Sequence, residues 1–550
     1  MYNPYIFFIF SVLITILFAA ALAYFFDKRK QKKLLQKIRK AWGNANTGSK
    51  DFNLIETFSQ LTTTSAFHTL NTQTINDIDI QDLFTFIDKT NSKIGQQYLY
   101  NKLITPTNNI EALEKYNEQV NFFTHNEQAR EEAQILLQKL NHHNVYYVAS
   151  LLNENLLEPP KWAKLFVLDT VIVILMLLLS FKFPILLIWL MIPLILNLLL
   201  HFLNKENTAK FIKSFPPLNT LINVSQVFLK KDIPFSKDSV QQNINNLSGF
   251  KRKYKLLNFG EYDANELLQI LIYIFDFIKA VFLIELHALF NTLKELKNRK
   301  NDINGLINYI GSIDAALSTG SLRASVDDYV VPTFINNQKA IGAKNIYHPL
   351  INNCVENSIT INGKSILITG SNMSGKSTFI RTIAINSIFA QTIYTCFANE
   401  FTIPILKVFS SIRINDSIED ATSYYLEEVN TIGNLIKESD NDFQHLFIID
   451  EVFKGTNTIE RIAGAKAILS YLNKNNNIVF VSTHDIELAE LLINEYDQYH
   501  FVEDVENDKL VFDHKIKTGP LKTRNAIKIL ALANYPSSII EEAKTIANKN

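Results

Sequence analysis

One stretch limits what this chain can fold into more than any other. It is Ile368-Thr369-Gly370-Ser371-Asn372-Met373-Ser374-Gly375-Lys376-Ser377-Thr378, a glycine-rich turn between the apolar run Ser365–Ile368 and a helical pattern from Thr378 onward. It fits the phosphate-binding loop G-x-x-x-x-G-K-[ST] in full, in the required order of strand, loop and helix. Gly370 and Gly375 let the backbone curl so that its N–H groups and the following helix N-terminus face an anion. Lys376 then reaches the β- and γ-phosphates and Ser377 holds Mg²⁺. A strand that ends in such a loop belongs to an α/β sheet, which binds ligands at the carboxyl ends of its strands.

The other α/β signals surround the loop. From Asn345, short β-branched runs alternate with helical patterns, with strands expected at Ser358–Ile361, Ser365–Ile368, Lys407–Phe409, Leu446–Ile449 and Ile478–Ser482. Leu446-Phe447-Ile448-Ile449-Asp450-Glu451 is a buried strand ending in two acids. Lying about 75 residues after a phosphate loop, Asp450 is expected opposite Ser377 on the metal side, and Glu451 is placed to activate the attacking water. Ser482-Thr483-His484-Asp485 closes the next strand. A histidine there either senses the γ-phosphate and orients water or serves as a capping residue. Lys454-Gly455-Thr456-Asn457-Thr458 is a polar turn opening a helix over Ile459–Leu472, which as local structure is an N-cap.

The 550 residues exceed one core and suggest several units. Lys+Arg and Asp+Glu are both 54, so no global charge argues for nucleic acid. Cys354 and Cys396 supply neither a metal spacing nor a disulfide framework, which points to a reduced compartment. Tyr5–Phe26 is almost wholly apolar and is followed at once by Lys28, Arg29, Lys30, Lys32 and Lys33. It reads as a retained membrane anchor with the basic side in the cytoplasm. Leu165–Phe181 and Pro184–Leu203 read as a transmembrane helical hairpin with cytoplasmic flanks, in which Asp169, Pro193 and Asn197 serve helix packing or snorkelling rather than a polar path. Leu267–Phe290 carries Asp276, Lys279 and Glu285 at helical spacing and reads as a buried or interfacial helix. Ile78–Asn141, broken at Pro106, and Lys213–Asp314, with turns near Pro216-Pro217 and Asn258-Phe259-Gly260, read as helical.

Gly370–Arg381, Asp450-Glu451 followed by Gly455-Thr456-Asn457-Thr458, and Ser482-Thr483-His484 together resemble the ATPase domain of MutS-type mismatch-repair proteins, a branch of the ABC ATPase class. Asp416–Val429 resembles that family's loop before the second acidic strand, and Gly519–Ala543 its C-terminal dimerisation segment. Tyr347-His348-Pro349-Leu350 resembles its His-Pro element, and Leu83–Pro106 and Ile303–Leu317 its core and lever helices. The likeness spans most of 78–160 and 300–545. It implies an Mg-dependent ATPase acting as a homodimer with two composite ATP sites. Each joins Gly370, Ser371, Asn372, Met373, Ser374, Gly375, Lys376, Ser377 and Thr378 of one subunit to the turn Gly455, Thr456, Asn457 of the other. In that frame Lys376, Glu451, His484 and Asn372 are the catalytic set, and Ser377 and Asp450 hold the metal. Three positions depart from the family: Asn457 replaces its usual serine, Ser374 its glycine, and no aromatic stands at Cys354 or Val355.

The expected architecture is α plus α/β. A transmembrane anchor (1–27) and basic juxtamembrane linker (28–77) precede a helical core (78–164), a transmembrane hairpin (165–203) and further core and lever helices (204–344). A P-loop ABC-type ATPase (345–515) and C-terminal helices (516–550) complete it. The family's mismatch-reading front domain has no counterpart, since 1–77 carry the anchor and linker and no wedge candidate. Expected partners are a second copy, membrane lipid through Lys28–Lys40, and DNA as a ligand the resemblance implies without a basic patch to support it. Two functions follow for a multi-pass protein of the cytoplasmic membrane. In one, the ATPase acts on mismatched or branched DNA; in the other, it moves a protein partner without DNA. A transporter would need more spans.

Overall fold

The computed structural model describes residues 4–44, 48, 50–62, 66–153, 164–251, 277–336, 338–371, 373–413, 424–453, 457–506, 509–521 and 535–547. Contacts divide the chain into two compact units, one of residues 1–62, 87–101 and 118–325, the other of 63–86, 102–117 and 326–550.

The first unit is helical. Its long helix Lys300–Arg323 is buried along nearly its whole second half, and two glycines set how closely neighbours approach. A Cβ on Gly311 would stand 2.4 Å from the Cβ of Tyr98, and one on Gly95 would stand 2.1 Å from an Asp314 carboxylate oxygen. Asp314 is wholly buried and accepts four hydrogen bonds. Two come from the backbone N–H and amide of Asn91 (2.8 and 3.1 Å), two from the backbone N–H and hydroxyl of Ser92 (2.8 and 2.6 Å). The carboxylate thus fixes Asn91 and Ser92 just before helix Lys93–Ile104, and the Ser92 hydroxyl in turn accepts from the first-turn N–H of Gly95 at 2.9 Å. Burial pushes its carboxyl up to about 6 against the pull of those donors. Since that lies above the value of a free carboxyl, this group's contribution to stability is complete at low pH and is lost as pH rises toward 6. Asp314→Ala strands Asn91 and Ser92 donors in a dry site, at about 1–3 kcal/mol each. We expect amide exchange at Asn91 and Ser92 to quicken by about a hundredfold, roughly 3 kcal/mol; unchanged exchange would show that the carboxylate holds nothing in place.

The membrane expectation does not survive. Among the described residues no helix is long and apolar enough to cross a membrane. The three spans, the cytoplasmic-membrane location and lipid as a partner are therefore corrected. The first apolar stretch lies in a helix of 38 residues, Pro4–Ala41, that runs on unbroken through the basic run. Its far end docks on helix Glu127–Leu137, where Arg39 forms a two-pronged pair with Glu131 (Nη2 to Oε2 3.0 Å) and Arg130 covers the Trp42 ring at 4.3 Å. The second, Lys164–Ser180, has 17 residues, about 25 Å of rise against a hydrocarbon core of about 30 Å. The third opens a helix of 44 residues, Leu186–Leu229. Asn197 is buried and donates to Asp169 (2.7 Å) and to the Val281 carbonyl (2.8 Å), so these polar groups pack helices together. Phe166, Leu283, Leu286 and Phe290 form a local core with Leu200, while Leu178 and Ile188 stay exposed.

The turn expected at Pro216-Pro217 is absent, because the long helix continues through both prolines. The flanking Ser214 and Thr220 hydroxyls donate back to the Phe211 (2.5 Å) and Pro216 (3.2 Å) carbonyls of the same helix. The expected turn near Asn258-Phe259-Gly260 lies outside the described residues. Of Leu267–Phe290, the described part is helical to Val281, breaks at Leu283 (φ 49°) and resumes as Ile284–Leu296. Lys279 is buried there.

The second unit carries the strands: β1 (Thr333–Ile335), β2 (Ala340–Ile346), β3 (Asn357–Asn362), β4 (Ser365–Thr369), β5 (Glu400–Pro404), β6 (Lys407–Ser411), β7 (His445–Asp450), β8 (Ile478–Thr483), β9 (Tyr496–His500), β10 (Glu503–Glu506), β11 (Lys509–Phe512) and β12 (Lys517–Thr518). A six-stranded sheet has the order β12-β9-β4-β8-β7-β6 and is parallel except where β12 joins β9. β4 and β8 are buried at every position, as a central parallel strand requires, and helices Lys376–Thr392 and Thr458–Leu472 follow β4 and β7. A smaller sheet has the order β1-β5-β2-β3.

Residues 66–77, far away in sequence, close the free edge of β6. His68 Nε2 donates to the Val408 carbonyl (3.0 Å), and the Ser410 and Ile412 N–H groups donate to Thr74 Oγ1 (3.1 Å) and Asp77 Oδ2 (2.9 Å). An open sheet edge is a site for wrong pairing, and side chains occupy this one. Burial lowers His68 to about 4, so the donor is a neutral imidazole.

Candidate nucleotide site

β4 delivers the glycine-rich loop to the carboxyl edge of the sheet, between β8 and β9. Gly370 has φ 144° and Gly375 φ 110°, both in the region that side chains disfavour. A Cβ at Gly370 would also stand 2.8 Å from the Phe501 carbonyl oxygen. Gly375 opens helix Lys376–Thr392. Lys376 is 2% exposed, and its Nζ donates to the carbonyls of Gly370 and Ser371 at 2.7 Å each. Ser371 Oγ is buried and has no hydrogen-bond partner among the described residues. Ser374, where glycine is usual in the resembled family, is buried and its hydroxyl donates to the Ser371 carbonyl at 2.8 Å. Met373 is exposed, Thr378 half-buried, and Asn372 lies outside the described residues.

The register of the sheet gathers the acids. Asp450 is opposite Ser482 across the β7–β8 ladder. Its Oδ2 accepts from Ser377 Oγ at 2.7 Å and its Oδ1 from Ser482 Oγ. Ser482 was quoted in the strand-end motif without a role, and pairing register alone gives it one. Glu451 follows in the left-handed region (φ 64°), its N–H donating to the Ser482 carbonyl at 2.9 Å. This kink turns its carboxylate away from Asp450, to 3.2 Å from His484 Nε2. Burial and the charge of Lys376 lower His484 below the ordinary histidine range, keeping it neutral at pH 7.

Asn457 caps helix Thr458–Leu472, its Oδ1 accepting from the Ile459 N–H at 3.0 Å. Lys454, Gly455 and Thr456 lie outside the described residues, as do 414–423 of the Asp416–Val429 resemblance and 522–534 of the C-terminal one. Helix Ser537–Ala547 follows the latter.

A cavity of about 370 Å³ adjoins the loop, lined by Tyr347, Cys354, Val355, Phe379, Phe501 and His514 beside Gly375–Thr378. His514 Nδ1 is 3.0 Å from the Ser374 carbonyl and the ring stacks with Phe512 at 5.8 Å. Sequence reasoning missed His514 and Phe501, because they reach the loop only through the strands after β8. Its one relevant signal, the lack of an aromatic at Cys354 and Val355, left the base pocket without a wall.

ATP and Mg²⁺ are implied by this architecture, and the residues fit both. An unpartnered buried hydroxyl and an inward-folded ammonium line an anion-sized turn, and one hydroxyl and one carboxylate already touch where a hard cation needs oxygens. Mg²⁺ typically uses one or two carboxylates together with substrate phosphates, so a larger acidic cluster is not required.

Residues 366–549 match the family described as MutS domain V. The DNA mismatch repair protein MutS of Petrotoga mobilis is 32% identical over 321 residues, which cover 54% of this chain and 38% of that protein. The protein of the same name from Listeria monocytogenes is 31% identical over 315 residues (54% and 36%), and that from Thermotoga maritima 28% over 316 (55% and 38%). The chain thus spans less than two fifths of the length of the curated relatives it matches. With its glycine-rich loop, paired acids and strand-end histidine on one sheet edge, and with domain V matched over 366–549, this part of the chain is MutS-like.

Proposed function

We propose that this protein is an Mg-dependent ATPase of the MutS type, working as a homodimer and coupling nucleotide state to a conformational change on DNA. The observation that carries the reading is the split of the two adjacent acids, Asp450 onto Ser377 and Glu451 onto His484. One carboxylate is placed for a metal and its neighbour for water.

Lys376 and the loop N–H groups hold the β- and γ-phosphates of ATP, the ammonium exchanging its two carbonyl partners for phosphate oxygens. Ser377 and Asp450 hold Mg²⁺, which neutralises charge on the phosphates when bound. Glu451 takes the proton of the attacking water, and neutral His484 steadies that carboxylate and the γ-phosphate. Asn372 helps place the water. Gly455, Thr456 and Asn457 of a second subunit complete the site across the dimer, with Asn457 offering its amide N–H while its oxygen caps the helix.

DNA enters because the relatives carry it in their name. The test is binding of the full chain to duplex, mismatched and branched DNA with ATP, over a salt series. We expect affinity that falls steeply with salt, by several powers per decade, and that depends on nucleotide. No binding at about 50 mM salt would remove DNA and leave the ATPase standing.

A further inference from the structure

Beside Glu451 lies a second cavity, about 250 Å³, lined by Glu451, Val452, Phe453, Arg461, Thr483, His484 and Asp485. Arg461 sits in the first turn of helix Thr458–Leu472, one turn beyond the Asn457 cap, and Asp485 immediately follows His484. Their side chains form a two-pronged pair, Nε to Oδ2 at 3.1 Å and Nη2 to Oδ1 at 2.7 Å. Planar, bidentate geometry is the arrangement in which an arginine pair fixes orientation and not merely charge.

We propose that the Arg461–Asp485 pair is a positioning device for hydrolysis, clamping the turn that carries His484 so that His484 holds the Glu451 carboxylate. Three observations support it. Asp485 occupies the N-cap position of helix Ile486–Leu491, yet its side chain makes no cap bond there and is given to Arg461 instead. A capping aspartate ordinarily stabilises its own helix, so the carboxylate is diverted from a local use to a long-range one. The pair is only partly exposed, 23% for the Arg461 side chain and 18% for Asp485, unlike a solvated surface bridge. It also joins the two elements that frame Glu451: the His484 turn, and the helix that begins just after Gly455–Asn457. Among the described residues Arg461 donates to Asp485 and to neither Asp450 nor Ser377, so its effect falls on the His484 and Glu451 side rather than on the metal side.

This rests on the ATPase reading above, and the experiment separates the two. Steady-state ATP hydrolysis by the full chain is measured for wild type, Arg461→Ala, Asp485→Ala, the double variant and Arg461→Lys, with mant-ATP and Mg²⁺ binding measured in parallel. We expect each single alanine variant to lower kcat about tenfold while KM and mant-ATP affinity move less than about twofold. The double variant should cost no more than either single one, since both break the same clamp. Arg461→Lys keeps the charge but loses the fork and should recover only part of the rate. Unchanged kcat, losses that multiply in the double variant, or a parallel loss of mant-ATP binding would overturn the proposal. If wild type fails to turn over ATP, or Glu451→Gln hydrolyses as fast as wild type, the ATPase reading falls and this inference with it. Normal wild-type turnover, an inactive Glu451→Gln and fully active alanine variants would remove the clamp alone.

Discussion

Lys376→Ala is expected to lower ATP turnover by at least about a hundredfold, the usual cost of removing one preorganised charge-stabilising donor. The ammonium is buried and satisfied by two loop carbonyls at 2.7 Å, so it is held ready over the turn and needs no search when phosphate arrives. Alanine removes the cation and takes the Lys376 donor from the Gly370 carbonyl, while the Ser371 carbonyl keeps the Ser374 hydroxyl, so nucleotide affinity should fall along with rate. Lys376→Met, which keeps the stem but not the charge, separates these effects: a loop still folded yet inactive shows that the charge is the working part. Mant-ATP titration and phosphate release measure both quantities. Turnover within about threefold of wild type would remove Lys376 from the site, given the size of effect such donors have.

Glu451→Gln should separate binding from hydrolysis. Glutamine keeps the size of the side chain and a hydrogen bond to His484 but cannot accept the proton of water, and loss of a general base costs about 10² to 10⁴ in rate. Asp450, Ser377 and Lys376 are untouched, so ATP affinity should remain. ATP held without turnover should then accumulate a dimer, seen as a shift in elution on size-exclusion chromatography with ATP and its absence with ADP. Rapid hydrolysis by this variant would assign the base elsewhere. Loss of ATP binding would place Glu451 among the phosphate contacts instead.

Much of the nucleotide unit can be read from short, local patterns. The strands expected at Ser365–Ile368, Leu446–Ile449 and Ile478–Ser482 are found within a residue or two as β4, β7 and β8, since continuous β-branched runs bounded by polar turns leave little choice. The membrane segments show the opposite. Apolar composition cannot tell a helix packed on helices from one in lipid; among the described residues no helix is long and apolar enough to cross a membrane, and Asn197 and the Arg39–Glu131 pair tie helix to helix. Prolines misled in a similar way, because Pro216-Pro217 lie in a stretch whose Phe215, Leu218, Leu221 and Ile222 are fully buried, and that packing outweighs the helix bonds the prolines remove.

The sequence alone placed the glycine-rich loop after β4, the two acids at the end of β7 and the histidine after β8, because each depends on neighbours within a few residues. It also carried the family resemblance that domain V bears out. Tertiary structure decided what the acids face. Strand register sets Ser482 against Asp450, and the left-handed turn at Glu451 sends the adjacent carboxylate to His484. Only folding brings Arg461 to Asp485, Phe501 and His514 to the loop, and residues 66–77 to the edge of β6. Such contacts join residues tens to hundreds of positions apart, a separation at which spacing along the chain carries no information about distance in space.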